Sequence, residues 1–119
     1  MSYDLTIKAD DEYSVFVVLE RVSEFLTKLP RVHPTGPGQF LLDDLPNRWM
    51  EIDLEVVSPE GSTECVSDHD LGRANCIRLH IPYAYLGEAP ERDYFPMAAD
   101  IAGFLEWRLY DEQTGEDIA

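Results

Sequence analysis

The chain has 119 residues, of which 45% are hydrophobic and 11% aromatic, so one folded core is expected and a second is not. Aspartate and glutamate number 24 against 9 lysines and arginines, and the formal net charge of -15 repels phosphate backbones and anionic membranes. We therefore predict a single α+β domain over residues 1–119 that binds neither nucleic acid nor membrane. The acidity favours a basic protein as partner, although solubility or salt tolerance would produce the same composition.

The N-terminus and the cysteine count bear on the compartment. Residues 1–4 lack the basic start and apolar run of a signal peptide, and no stretch approaches the roughly 20 apolar residues that span a bilayer. Cys65 and Cys76 are too few for a disulfide scaffold, which predicts free thiols in a reducing compartment. We expect a cytoplasmic protein.

The first 30 residues predict a strand followed by a helix. Tyr3, Leu5 and Ile7 alternate with polar residues, as in a half-buried strand. Apolar residues then recur at the spacing of one helix face: Val15, Val18, Leu19, Val22, Phe25, Leu26 and Leu29. Ser14 or Asp11 is the candidate N-cap, and Pro30 ends the helix.

The middle of the chain predicts further strands. Residues 34–38 contain two prolines and two glycines, which indicates a loop, and residues 40–42 follow as a short strand. The clearest pattern is an alternation of Met50, Ile52, Leu54 and Val56 with Glu51, Asp53 and Glu55. Residues 58–75 predict a long loop.

The last third predicts a strand, a helix and a tail. A strand begins at Cys76, with Ile77, Leu79, Ile81 and Tyr83 pointing inward and Arg78 and His80 pointing outward. The second helix is marked by Pro96 in its first turn and by the spacing of Met97, Ile101, Phe104, Leu105 and Arg108. Residues 109–115 indicate a short strand that runs into a turn.

These elements predict the order β-α-β-β-β-α with an optional short last strand. Strands grouped between helices favour an antiparallel sheet of about four strands with two helices on one face.

A paired spacing of metal-binding residue types is present in the second half. Cys65-x3-His69 and Cys76-x3-His80 supply four zinc-type ligands. However, residues four apart on a strand lie roughly 13 Å from each other, whereas zinc ligands lie within about 2.3 Å of one ion. We therefore predict no metal. Gly36-Pro37-Gly38 lacks the backbone donors of a phosphate loop, so we also predict no nucleotide cofactor.

Two functional interpretations follow from the remaining polar residues. The favoured one is a non-enzymatic, acidic protein-binding domain that uses the polar face of the sheet as its partner-binding site: Trp49, Glu51, Asp53, Glu55, Arg78 and His80. Ordinary cross-strand charge pairing, such as Asp53 with Arg78, would produce the same pattern. The alternative is a small enzyme or metal-dependent domain that uses His69, Cys65 and nearby carboxylates.

The two ends of the chain carry a resemblance. The start Ser2-Tyr3-Asp4-Leu5 and the ending Ile101-Ala102-x-Phe104-Leu105-x-Trp107-x-Leu109-Tyr110-Asp111-x-Gln113-Thr114-Gly115 resemble small acidic bacterial immunity proteins of polymorphic toxin systems. This resemblance implies a dedicated inhibitor that binds a toxin domain and has no catalysis of its own. The resemblance does not indicate which residues of this chain would bind the toxin.

Overall fold

Seven strands form one antiparallel sheet in the computed structural model, which describes residues 2–60 and 72–118. The strands in chain order are β1 (Ser2–Lys8), β2 (Val17–Val18), β3 (Val32–Gly36), β4 (Gln39–Asp44), β5 (Arg48–Glu55), β6 (Arg73–Ala74), β7 (Cys76–Pro82), β8 (Arg108–Asp111) and β9 (Glu116–Ile118). The sheet order is β3-β4-β5-β7-β1-β8-β9, and β2 pairs separately with β6. The predicted α+β class with an antiparallel sheet is confirmed.

The helices of the described residues are α1 (Leu19–Thr27), α2 (Pro90–Asp93) and α3 (Phe95–Leu105). Val22 and Leu26 of α1 and Ile101 of α3 join the apolar side of the sheet in one buried cluster. The rings of Phe25 and Phe104 stack with their centroids 4.2 Å apart, which joins α1 to α3. Within residues 2–60 and 72–118, no helix is long and apolar enough to cross a membrane.

The alternating patterns place the core side chains as predicted. Leu5, Ile52 and Leu79 are fully buried on one side of β1, β5 and β7. The pairing of β5 with β7 sets Ile52 opposite Leu79, and the pairing of β1 with β7 sets Leu5 opposite the same residue. Leu54 is only half-buried, because it lies at the end of the row near the turn that follows β3.

The strand count differs from the prediction of about four, in part because residues 34–38 are not a loop. They contain the end of β3 and a two-residue turn, Pro37-Gly38, that leads into β4. Gly38 has φ 68°, a conformation that glycine adopts without strain. Pro34 is tolerated because β3 is an edge strand, where a missing N–H costs no ladder hydrogen bond.

The first helix begins later than its apolar spacing suggests. Val15 and Val18 are 44% and 60% exposed, and Val18 pairs with Arg73 of β6 before α1 begins at Leu19. The capping prediction is also wrong, since no side chain caps α1. Instead, the backbone N–H of Ser14 donates to Asp10 at 3.0 Å and closes an earlier turn.

The second long helix ends before Arg108, which was predicted to belong to it. Glu106 follows α3 with a left-handed φ of 58°, and Arg108 is the first residue of β8. The tail forms the hairpin of β8 and β9. The hydroxyl of Tyr3 donates to the buried Asp111, which ties this hairpin to β1.

Candidate functional site

The sheet presents a polar side that faces away from the helices, and we call it the open face. Its residues on the central strands are Asp4, Thr6 and Lys8 of β1, Trp49, Glu51, Asp53 and Glu55 of β5, and Cys76, Arg78 and His80 of β7. They share this side because strand side chains alternate and their neighbours on each strand fill the core. The six predicted partner-binding residues therefore lie on one face of two adjacent strands.

His80 joins three strands of the open face. Its Nδ1 lies 2.8 Å from Oδ1 of Asp4, its register partner on β1, and its Nε2 lies 3.4 Å from Oδ2 of Asp53 on β5. Only the doubly protonated ring can donate to both carboxylates at once.

Arg78 is held by its own set of neighbours. Asp53 is its register partner on β5, but its Nε lies 2.8 Å from Oε2 of Glu55. Burial alone would lower the pKa of Arg78, and the hydrogen bond with Cys76 together with the Glu55 carboxylate outweighs burial and raises that pKa. The guanidinium is therefore a fixed positive charge within an acidic surface.

Cys76 is a buried thiol beneath this charge pair. It is 0% exposed, and burial raises its pKa to about 11 in spite of the nearby guanidinium. A thiol of this kind is a poor nucleophile and a poor metal ligand. Cys76 and His80 lie four residues apart on β7, and Cys65 and His69 lie outside the described residues. In the part of the chain that the structure describes, no group of three or more histidine, cysteine, aspartate or glutamate side chains is arranged to hold a metal ion.

One cavity of the open face lies around His80. It measures about 340 Å³ and is lined by Asp4, Thr6, Tyr13, Arg78, His80 and Glu112. The hydroxyl of Thr6 donates to Glu112 at 2.6 Å, so the wall is already hydrogen-bonded. The alternation of β1 would have identified Asp4 and Thr6 as outward residues. Tyr13 and Glu112 come from turns, and no local pattern predicts their position.

A second cavity lies across β3, β4 and β5. It measures about 290 Å³ and is lined by Thr35, Gln39, Leu41, Trp49, Glu51 and Asp53. Leu41 is the register partner of Glu51, and Gln39 is the partner of Asp53. The carboxylate of Glu51 is exposed, and among residues 2–60 and 72–118 no ion pair engages it. Sequence reasoning missed Leu41 and Gln39, because their role depends on the hairpin of β3 and β4.

Trp49 is fixed by aromatic residues that follow β7. Its backbone N–H donates to the hydroxyl of Tyr94 at 3.2 Å, and that hydroxyl donates to the carbonyl of Tyr85. The Tyr85 ring lies 6.2 Å from the indole, centroid to centroid. Tyr85 is 37% exposed, so an aromatic cluster of Trp49 and Tyr85 borders the acidic row at this end of the sheet. Tyr83, which was predicted to point inward, is instead 43% exposed, because β7 ends at Pro82 and Tyr83 begins a short 3-10 turn.

Comparison of the chain with protein-family models, with curated proteins and with solved structures gave no match.

Proposed function

We propose that this protein is a non-enzymatic binding domain whose open face takes up a basic protein partner. The observation that carries the proposal is the row of Trp49, Glu51 and Asp53, which borders one cavity on the open face. In this row an aromatic side chain and two carboxylates lie together on a rigid strand.

Charge complementarity selects the chemistry of the partner. The open face carries the carboxylates of Asp4, Glu51, Asp53 and Glu55. Its basic side chains on β1, β5 and β7 are Lys8, Arg78 and His80, and Lys8 pairs with Asp11. Glu55 pairs with Arg78, and His80 is shared by Asp4 and Asp53. Glu51 adds a further exposed negative charge, and the whole chain carries -15. Such a field accelerates association with a positively charged surface.

The aromatic cluster supplies binding affinity that charge alone does not. Exposed ion pairs contribute little net affinity, because each loses hydration and side-chain freedom. Tryptophan and tyrosine bury large areas with few rotatable bonds, and they are enriched among the residues that dominate interfaces. Trp49 borders the same cavity as Glu51, and the Tyr85 ring lies 6.2 Å from the indole, centroid to centroid.

The inhibitor role implied by the resemblance of the two chain ends is the narrower form of this proposal. A toxin domain with a basic surface would be the partner, and the open face would cover that surface. For the alternative enzyme, Cys65 and His69 lie outside the described residues, and the ring nitrogens of His80 both face carboxylates.

Selection from a random peptide library tests the proposal. The folded protein is immobilised, and bound phage-displayed peptides are eluted with a salt gradient. We expect enriched peptides to be rich in arginine or lysine and to be lost when Glu51→Lys or Trp49→Ala protein is used. Glu24→Lys, which makes the same charge change on the exposed side of α1, is the matched control and should retain them. Enrichment of acidic or uncharged peptides, or equal loss in the control, would contradict the proposal.

A further inference from the structure

The cavity beside Trp49 combines an aromatic wall, an aliphatic wall and two carboxylates. Trp49, Glu51 and Asp53 are alternate residues of β5, so their side chains emerge on one side at intervals of roughly 7 Å. Leu41 projects from β4 directly opposite Glu51. The site is therefore more than an acidic patch, because its carboxylates border a space with apolar sides.

The far wall is built by the hairpin of β3 and β4. A Cβ on Gly36 would lie 2.9 Å from Oε1 of Gln39, so the side chain of Gln39 lies across this glycine. Gln39 and Thr35 together close the cavity on the side of β3. Their uncharged polar groups leave Glu51 and Asp53 as the only charged groups among the residues that line it.

The size of the cavity limits what it can hold. Pockets for drug-sized molecules measure about 300–1,000 Å³, and this cavity, at about 290 Å³, lies just below that range. A cavity of this size holds one long side chain of a bound protein. The two carboxylates repel an anionic group. An apolar side chain would have to displace water from both charges without giving either of them a partner.

The walls distinguish between the two cationic side chains. A guanidinium is planar, stacks on an aromatic ring and presents paired donors to carboxylates, whereas an ammonium is a compact and strongly hydrated charge. Tryptophan is the aromatic residue that attracts cations most strongly. Leu41 offers a surface to the methylene stem of the same side chain.

We propose that this cavity receives the side chain of one arginine of the partner, an inference that rests on the proposed function. The guanidinium stacks on the indole of Trp49 and donates to Glu51 and Asp53. Glu51 is the main acceptor, because Asp53 already lies 3.4 Å from Nε2 of His80.

Titration with a single amino-acid derivative tests this directly. N-acetylarginine methylamide is added to the isotopically labelled protein, and N-acetylcitrulline methylamide, its uncharged near-isostere, is added to a second sample. We expect a saturable shift of the Trp49 indole N–H signal with the arginine compound and at least about fivefold weaker binding of the citrulline compound. The indole signal of Trp107, which packs against the core, is the internal reference and should not move.

Two variants locate the binding. Glu51→Gln should weaken binding of the arginine compound about threefold or more, whereas Glu24→Gln, an exposed glutamate on α1, should leave it unchanged. Equal binding of the two compounds, or equal effects of the two variants, would overturn the arginine assignment.

The arginine assignment can fail in these tests without the proposed function failing. If basic peptides bind and depend on Glu51 while the arginine compound leaves the Trp49 signal unmoved, the inference fails and the proposed function stands. If no basic peptide binds this face, the proposed function fails and the inference fails with it.

Discussion

Asp4 and His80 are register partners across β1 and β7, and Oδ1 of Asp4 lies 2.8 Å from Nδ1 of His80. Burial tends to raise the pKa of Asp4, but the hydrogen bonds from Ser2 and His80 outweigh burial and hold the pKa below its usual 3.8. A carboxyl whose folded-state pKa is depressed adds stability that is present above pH 3.8 and is lost as the pH falls through the folded-state pKa.

Asp4→Asn should therefore be less stable than the native protein at pH 6, and the difference should shrink as the pH falls below 3.8 and through the folded-state pKa. The side chain is 39% exposed, so the loss should stay under about 1 kcal/mol. Urea unfolding between pH 2.5 and 6 measures it, with Asp100→Asn on the exposed side of α3 as the control. A stability difference that does not change with pH would contradict this assignment.

Neighbouring residues of β5 should differ sharply in their contribution to stability. Ile52 is fully buried whereas Glu51 is exposed. Ile52→Ala should lower the free energy of unfolding by about 2–5 kcal/mol, because it leaves a cavity in the core. Glu51→Ala should change that free energy by under about 0.5 kcal/mol. Chemical denaturation of both variants would refute the assigned strand faces if it gave similar losses.

The side chain of Asn75 makes hydrogen bonds to the backbone of two other segments of the chain. Its Oδ1 accepts the N–H of Val57 at 2.9 Å, and its Nδ2 donates to the carbonyls of Val57 and Tyr13 at 2.9 and 3.0 Å. Asn75 is 1% exposed. Asn75→Ala should cost about 2–4 kcal/mol of unfolding free energy, because it leaves buried backbone groups unpaired.

Asn75→Asp sharpens this test, since the near-isosteric carboxylate presents an acceptor to two carbonyl oxygens. It should destabilise the protein at least as much as alanine at neutral pH and less at acidic pH. Asn47→Ala, in the exposed turn after β4, is the control and should stay within about 0.5 kcal/mol of the native protein. A native-like Asn75→Ala variant would show that these hydrogen bonds do not matter.

Cys76 should be chemically inert in the folded protein. With its pKa raised to about 11 by burial, roughly 0.1% of the thiol is ionised at pH 8, and access is blocked as well. In a Cys65→Ser background, which leaves Cys76 as the sole thiol, alkylation by iodoacetamide should be at least about 100-fold slower than in urea. N-acetylcysteine controls for the effect of urea on the reagent. Comparable rates in the folded and unfolded protein would disprove the burial of this thiol.

Local sequence patterns predicted which residues lie on the open face better than they predicted the contacts of those residues. The alternation along β5 and β7 placed Trp49, Glu51 and His80 on one side, because a strand's own period decides which residues face outward. The partners of these residues depend on which strands lie side by side. Asp4 reaches His80 only because β1 inserts between β7 and β8, and that pairing joins residues far apart in the chain. No short-range signal carries this information.

Local residue propensities gave wrong predictions at two places where strand pairing determines the structure. Pro34 and Gly36 indicate a loop, yet at the sheet edge they form β3, which provides one wall of the cavity beside Trp49. The apolar residues Val15 and Val18 fit the helical period, but β6 pairs with Val18 and delays the helix to Leu19. In both cases, tertiary pairing outweighed a local preference.

Association kinetics with a basic peptide from the library selection test the central claim most directly. We expect Glu51→Lys to slow association and to flatten its dependence on salt, because it removes part of the attracting field. Trp49→Ala should chiefly accelerate dissociation, because it removes the contact that anchors the complex. Glu24→Lys, which changes the net charge equally on α1, should do neither. If all three variants remain folded and bind with the kinetics of the native protein, the open face is not the binding surface.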